Sequence, residues 1–204
     1  MRIGVHQVPW WLLAGAIACT PRAEETAETD AVEARRDTVM FETTAGRIVM
    51  ELENELAPIS VENFLLHVRS GFYDGLVFHR VEPGFVIQAG EVDPDMRKRI
   101  SSVFPIENEA TNGLKNLRGT VAMARTGDPH SATSQFFINL ADNAKLDFTA
   151  QTATGWGYAV FGRVIEGMDA VDSITRISTT RQRTYAHLPI APPVITHASI
   201  VSGR

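Results

Sequence analysis

At 204 residues, the chain is long enough for one well-buried domain with further segments to spare. With 44% hydrophobic and 21% charged residues it has the make-up of an ordinary globular protein, and a net charge of −5 without any Lys/Arg block argues against a nucleic-acid partner. Its single cysteine, Cys19, excludes an intramolecular disulfide framework and a cysteine-based metal cage.

Residues 1–19 read as an export signal: Arg2 gives a basic start, and Val8 to Ala18 is apolar apart from Pro9 and Gly15. That run is shorter than the roughly 20 residues a membrane-spanning helix needs. Ala16-Ile17-Ala18-Cys19 resembles a bacterial lipobox, with Ala16 where the motif usually carries Leu. A lipidated Cys19 would carry more than one acyl chain, the condition for stable anchoring. The expected location is therefore outside the cytoplasm, on the periplasmic side of a bacterial membrane, with no membrane contact beyond that anchor. Residues 20–37 are rich in Ala, Thr and Glu, with Val32 the one larger aliphatic, and read as a flexible tether.

From 38 to 202 the pattern is that of a folded domain. Val39–Thr43 and Arg47–Leu52 are β-rich runs joined by Thr44-Ala45-Gly46, a hairpin signature. A helix is expected from Pro58 to a stop at Gly71, with Val61, Phe64, Leu65 and Val68 at helical spacing and His67 partly exposed on its surface. Phe78 to Gly90 is an apolar strand–turn–strand, turning at Pro83-Gly84 and carrying His79, Arg80 and Gln88. One permanent cation and one amide in apolar surroundings suit either a ligand pocket or a core hairpin whose Arg reaches solvent. Glu91 to Gly113 reads as loop. Strands follow at Gly119–Ala124, Gln135–Leu140 and Tyr158–Ile165, then a short helix with Met168, Val171 and Ile174 on one side, and a last strand at Val194–Val201. Many short strands, two distant helices and no alternating β–α rhythm predict a mainly β fold, a closed and mostly antiparallel barrel.

Three blocks carry a family resemblance: Phe78-His79-Arg80 with Phe85-Val86-Ile87-Gln88, Gly119-Thr120-Val121-Ala122-Met123-Ala124, and Ser134-Gln135-Phe136-Phe137-Ile138. In that order, and extended by Tyr158–Gly162 and Gly167-Met168-Asp169, they resemble the signature blocks of the cyclophilins, which are peptidyl-prolyl cis–trans isomerases. Ile106–Leu114 and Met123–Asn143 are similar to the bacterial branch. The resemblance implies an eight-stranded antiparallel β-barrel capped by two α-helices and Pro-containing polypeptides as substrates; a monomer is expected, and neither cofactor nor metal, since rotation about a bond needs no metal and the histidines lack metal-ligand spacing.

It also implies site roles. Arg80 matches the catalytic arginine, with Phe85, Gln88 and Phe137 as its catalytic neighbours. Val86 and Leu146 would complete the apolar pocket for the proline ring, and Tyr158 would close it. Backbone at Ala124, Arg125 and Thr126 would pair with an extended peptide beside Gln135. Phe136 and Phe137 alternate on a strand, so only one can line the site, and the resemblance chooses Phe137. His79 is expected to be structural, because isomerisation transfers no proton. The chain departs from eukaryotic members at Lys145 (for Trp), Tyr158 (for His), Val86 (for Met) and Arg125 (for Asn), and the first of these implies weak cyclosporin binding. A competing reading keeps the pocket but makes it a chaperone or scaffold module for extended Pro-containing segments.

Overall fold

The computed structural model describes Met1 and residues 36–201. The expected export signal, Cys19 and nearly all of the expected tether therefore lie outside the described residues. Ten strands are present: β1 (Thr38–Thr43), β2 (Gly46–Leu52), β3 (Arg80–Glu82), β4 (Val86–Ala89), β5 (Thr120–Met123), β6 (Phe136–Asn139), β7 (Val160–Glu166), β8 (Thr179–Gln182), β9 (Tyr185–Pro189) and β10 (Ile195–Val201). Two helices accompany them, α1 (Pro58–Arg69) and α2 (Met168–Thr175). Eight strands form one antiparallel sheet in the order β10-β1-β2-β7-β5-β6-β4-β3, and β8 and β9 form a separate hairpin. Bulges at Glu42/Thr43, Val49/Met50 and Val121/Ala122 strengthen the local twist, which curls the sheet around its inner face.

That inner face is the main core. Phe41, Phe64, Tyr73, Phe136 and Phe161 are fully buried, with ring centroids 5.0 Å apart for Phe64–Phe161 and 5.9 Å for Phe41–Phe64. Tilted and edge-on pairs of this kind add about 0.5–1.5 kcal/mol each beyond their area burial. Tyr73 satisfies its hydroxyl by donating to the Ser134 carbonyl at 2.9 Å.

α1 starts at Pro58 and is closed by Gly71, which takes a positive φ of 65° just beyond the cap. The N-terminus has no side-chain cap of its own. Glu109 supplies one from a distant loop, accepting from Ile59 N at 3.0 Å, Ser60 N at 2.8 Å and the Ser60 hydroxyl at 2.7 Å. The carboxylate satisfies orphan donors and sits at the positive end of the helix dipole. His67 is not a surface residue: it is 2% exposed, with Nδ1 on the Asn63 carbonyl (2.7 Å) and Nε2 on Ser101 (2.8 Å). The buried stripe of α1 is wider than its apolar spacing suggests, because the loop carrying Ser101 covers this flank.

α2 buries Ala170, Val171 and Ile174 and begins at Gly167, whose φ is 92°. A Cβ there would collide with the Arg47 carbonyl oxygen, so β2 and the start of α2 touch through bare backbone. The β8–β9 hairpin was not expected from the sequence. Every residue of β8 is exposed, and the turn uses Arg183 at a φ of 53°. It has neither the alternation nor the Asn-Gly or Gly that usually marks such a turn.

Candidate active site

The site grows out of strand register. Arg80 on β3 pairs with Gln88 on β4, Gln88 with Phe137 on β6, and Phe137 with Ala122 on β5. Side chains alternate along a strand, so this row of four shares the outer face of the curled sheet. The next row, Val81, Ile87, Ile138 and Val121, packs into the main core. Phe136 likewise belongs to the main core, while Phe137 joins a separate apolar cluster with Val86, Ala122 and Val160. Residue pattern alone left that choice open, and the register makes it.

Over this outer cluster lies a cleft of about 490 Å³. Its apolar end is lined by Phe85, Val86, Phe137, Leu146 and Tyr158, with Ala124 beside them. Tyr158 meets Phe137 edge-on, centroids 5.5 Å apart. Arg80 stands at the boundary of that end. Its Nη1 donates to Gln88 Oε1 at 3.2 Å and its Nη2 to Glu82 Oε2 at 2.7 Å, and its guanidinium lies 5.5 Å from the Phe85 ring centroid. Gln88 in turn donates through Nε2 to Gln135 Oε1 at 2.8 Å, which fixes the orientation of its amide. A guanidinium has five donors in a rigid plane, so two bonds orient it and leave N–H groups for a substrate.

The other end of the cleft is polar. β9 packs against β3 and brings Tyr185 and His187 to the wall beside His79, Glu91 and Lys98. Glu91 takes Lys98 Nζ at 2.6 Å and the Tyr185 hydroxyl at 3.5 Å. His79 is buried, its Nε2 3.6 Å from Glu91. Burial is the main reason its pKa falls to about 4, with Glu91 opposing the shift. At neutral pH the ring is uncharged, in keeping with a structural part.

Behind the apolar end runs a chain of three buried asparagines. Asn143 Nδ2 donates to the Phe85 carbonyl (2.9 Å) and to Asn139 Oδ1 (2.8 Å), and Asn139 Nδ2 donates to Asn116 Oδ1 (3.2 Å). Asn116 then holds the Leu146 carbonyl at 3.1 Å. Two residues lining the apolar end of the cleft, Phe85 and Leu146, are thus pinned by their backbones to one polar network. Nothing in the residue pattern pointed to it, since isolated asparagines ordinarily read as turns.

The cleft gathers Arg80, Phe85, Val86, Gln88, Ala124, Arg125, Gln135, Phe137, Leu146 and Tyr158, all of them singled out from the sequence. Thr126 is not among the lining residues; it is exposed, and its hydroxyl bonds Ser131 at 2.8 Å. Arg125 donates from Nε to the Gly157 carbonyl at 2.8 Å and stacks 4.7 Å from the Tyr158 centroid. Lys145 Nζ lies 4.1 Å from the Phe85 centroid. Trp156 packs on His130 and Phe148, away from the cleft lining. Among the described residues, no group of three His, Cys, Asp or Glu is placed to hold a metal ion.

Residues 38–200 match the sequence model of the family described as cyclophilin type peptidyl-prolyl cis-trans isomerase/CLD. Peptidyl-prolyl cis-trans isomerase cyp18 of Streptomyces antibioticus is 57% identical over 164 residues, which is 80% of this chain and 98% of that protein. Peptidyl-prolyl cis-trans isomerase B of Escherichia coli is 47% identical over 162 residues, covering 79% of this chain and 98% of the relative. Among solved structures, a cyclophilin type peptidyl-prolyl cis-trans isomerase of Cryptosporidium parvum superposes with a TM-score of 0.68 at 26% identity, over 83% of this chain and all of the other. The same protein in the presence of the dipeptide Ala-Pro gives 0.66, also at 26% identity, over 81% of this chain and 99% of the other. With the register, the cleft and these relatives in agreement, the chain belongs to the cyclophilin-type peptidyl-prolyl cis-trans isomerases.

Proposed function

We propose that this isomerase accelerates rotation about X–Pro bonds by holding the twisted amide against Arg80, with the proline ring among Phe85, Val86, Phe137, Leu146 and Tyr158. The barrier is about 18–20 kcal/mol because the amide C–N bond has partial double-bond character. No bond breaks, so the site needs only to bind the twisted form better than either planar one. Twisting makes the prolyl nitrogen pyramidal and restores its lone pair. A fixed cationic donor beside that nitrogen keeps the lone pair out of resonance, and poorly hydrated surroundings strengthen the contact. An acceleration of about 10⁵-fold corresponds to about 7 kcal/mol of such preference. The observation that carries this reading is the Arg80 guanidinium, set at the edge of an apolar pocket by Gln88 and Glu82.

Gln88 and Gln135 orient the arginine and the neighbouring carbonyl, and the Ala124–Arg125 backbone lies beside the groove for an extended chain. The curled sheet is read as a closed barrel, a reading supported by backbone bonds from Gly75 N to Ile195 O (2.7 Å), Ile195 N to Leu76 O (2.8 Å) and Phe78 N to Pro193 O (3.0 Å). Lys145, in place of the family's tryptophan, goes with weak cyclosporin binding, and a nanomolar dissociation constant would count against that. Substrates are Pro-containing segments of exported polypeptides, met by a monomer held at the periplasmic face through lipidated Cys19. Acyl labelling that persists in Cys19→Ser would refute the anchor. For the mechanism, the test is isomerisation of a short X–Pro peptide by the intact protein and by Arg80→Ala. A loss of about 100-fold or more is expected, and equal rates, or no activity in either, would refute the assignment of Arg80.

A further inference from the structure

Two cations bracket the apolar end of the cleft without any carboxylate partner among the described residues. Arg125 spends its hydrogen bonds on backbone carbonyls, those of Gly157 (2.8 Å) and Thr126 (2.9 Å), while its guanidinium lies 4.7 Å from the Tyr158 centroid. Lys145 is exposed, with its ammonium 4.1 Å from the Phe85 centroid. Among the described residues neither is within ion-pair distance of an acid, although other cations of this acidic chain are paired, such as Arg80 with Glu82 and Lys98 with Glu91. Tyr158 and Phe85 both belong to the wall of the pocket, so the two unpaired charges stand on its rim. Glu91, the carboxylate among the described lining residues, sits at the polar end and is already engaged by Lys98. Two unpaired cations therefore stand at the pocket mouth of a protein whose net charge is −5.

We infer that Arg125 and Lys145 make this cleft selective for prolines flanked by an acidic side chain, and that they disfavour a lysine or arginine in the same place. The inference rests on the isomerase reading of the same cleft and names its substrate class. The aromatic faces help in two ways. They hold each cation over a partly apolar surface, which lowers the cost of keeping it poised. They also fix its position beside the cleft wall, within reach of a side chain flanking a bound proline. Attraction for Glu and repulsion for Lys act in opposite directions on two peptides of equal length, so the contrast between them is larger than either effect alone.

The experiment compares kcat/KM for three matched peptides with Glu, Gln or Lys beside the proline, placed first before it and then after it. The intact protein should favour Glu over Lys by about tenfold at low ionic strength for at least one of the two placements, a contrast equivalent to about 1.4 kcal/mol. The contrast should shrink several-fold in about 1 M salt, where the Debye length falls to about 3 Å. In Arg125→Gln with Lys145→Gln the Glu:Lys ratio should collapse towards one. Because that ratio is taken within each protein, a general loss of activity in the variant cancels. A ratio near one in the intact protein, or one that survives both substitutions, would overturn charge selection. Should none of the peptides be turned over, the isomerase reading fails on its own account. Their dissociation constants then decide the selectivity in the same way, with Glu no tighter than Lys counting against it.

Discussion

Acidification should destabilise this protein well before its carboxylates titrate, and His79 is the cause. In the folded chain its pKa is pushed from the ordinary 6.5 to about 4, mainly by burial. The folded state holds the ring neutral, so the unfolded chain binds more protons as pH falls through 6.5. Stability is fully present above 6.5, declines between there and 4, and levels off below both values. A difference of about 2.5 units at about 1.36 kcal/mol each gives a total of about 3 kcal/mol. About 2 kcal/mol of this falls between pH 7 and 5. His67, also lowered by burial, acts in the same direction. Glu51 and Asp93, whose pKa values are held down by the Arg163 side chain and the Arg97 backbone respectively, act only at lower pH. The assay is denaturant unfolding at a series of pH values from about 7 to 5, for the intact protein and His79→Phe. Absolute stabilities will differ, so the readout is the slope with pH, which should be distinctly shallower in the variant. Identical slopes would refute the claim that His79 is buried and neutral.

Gly167→Ala should cost about 3 kcal/mol or more and lower Tm by roughly 10 °C, because the new Cβ meets backbone of Arg47 and Ile48. Gly84→Ala, at a similarly positive φ of 73° but with nothing within 4 Å, should cost only about 1 kcal/mol; thermal melts giving equal losses would contradict the packing argument. Glu109→Ala removes all three bonds at the start of α1 and is expected to cost about 2 kcal/mol in urea unfolding. Asn143→Ala removes one of two donors on the Phe85 carbonyl, leaving Leu140 N at 2.9 Å, and breaks the asparagine chain. Its expected signature is a kcat/KM reduced by about tenfold with Arg80 in place, and unchanged kinetics would make that network purely a matter of stability.

Legibility followed the physics of each element. The β1–β2 and β3–β4 hairpins could be read because their apolar alternation and their turn residues agree, Gly46 and Gly84 both taking positive φ. Gly71 announced the end of α1 for the same reason. What resisted reading was whatever depends on contacts between distant segments. Glu109 caps a helix about 50 residues away, and no local rule links the two. His67 was placed at the surface because helical spacing counts only apolar neighbours, whereas the loop carrying Ser101 covers it. The β8–β9 hairpin has a polar outer strand and a non-glycine turn at Arg183, so neither of its two usual signals is present. Tyr185 and His187 reach the cleft only through that hairpin, and the polar end of the site went unnoticed with it. The pocket side chains were found by resemblance, but their common direction follows from register alone.

Since Val86, Ala122, Phe137 and Val160 form an apolar cluster of their own on the outer face of strands whose inner face packs the main core, the two faces can change at different rates over evolutionary time. A substitution among the outer residues reshapes the cleft without touching the aromatic packing of Phe41, Phe64 and Phe161, but it carries a stability cost of its own because all four are buried. An exposed rim residue such as Lys145 escapes that cost, so the mouth of the cleft is free to vary where its floor is not.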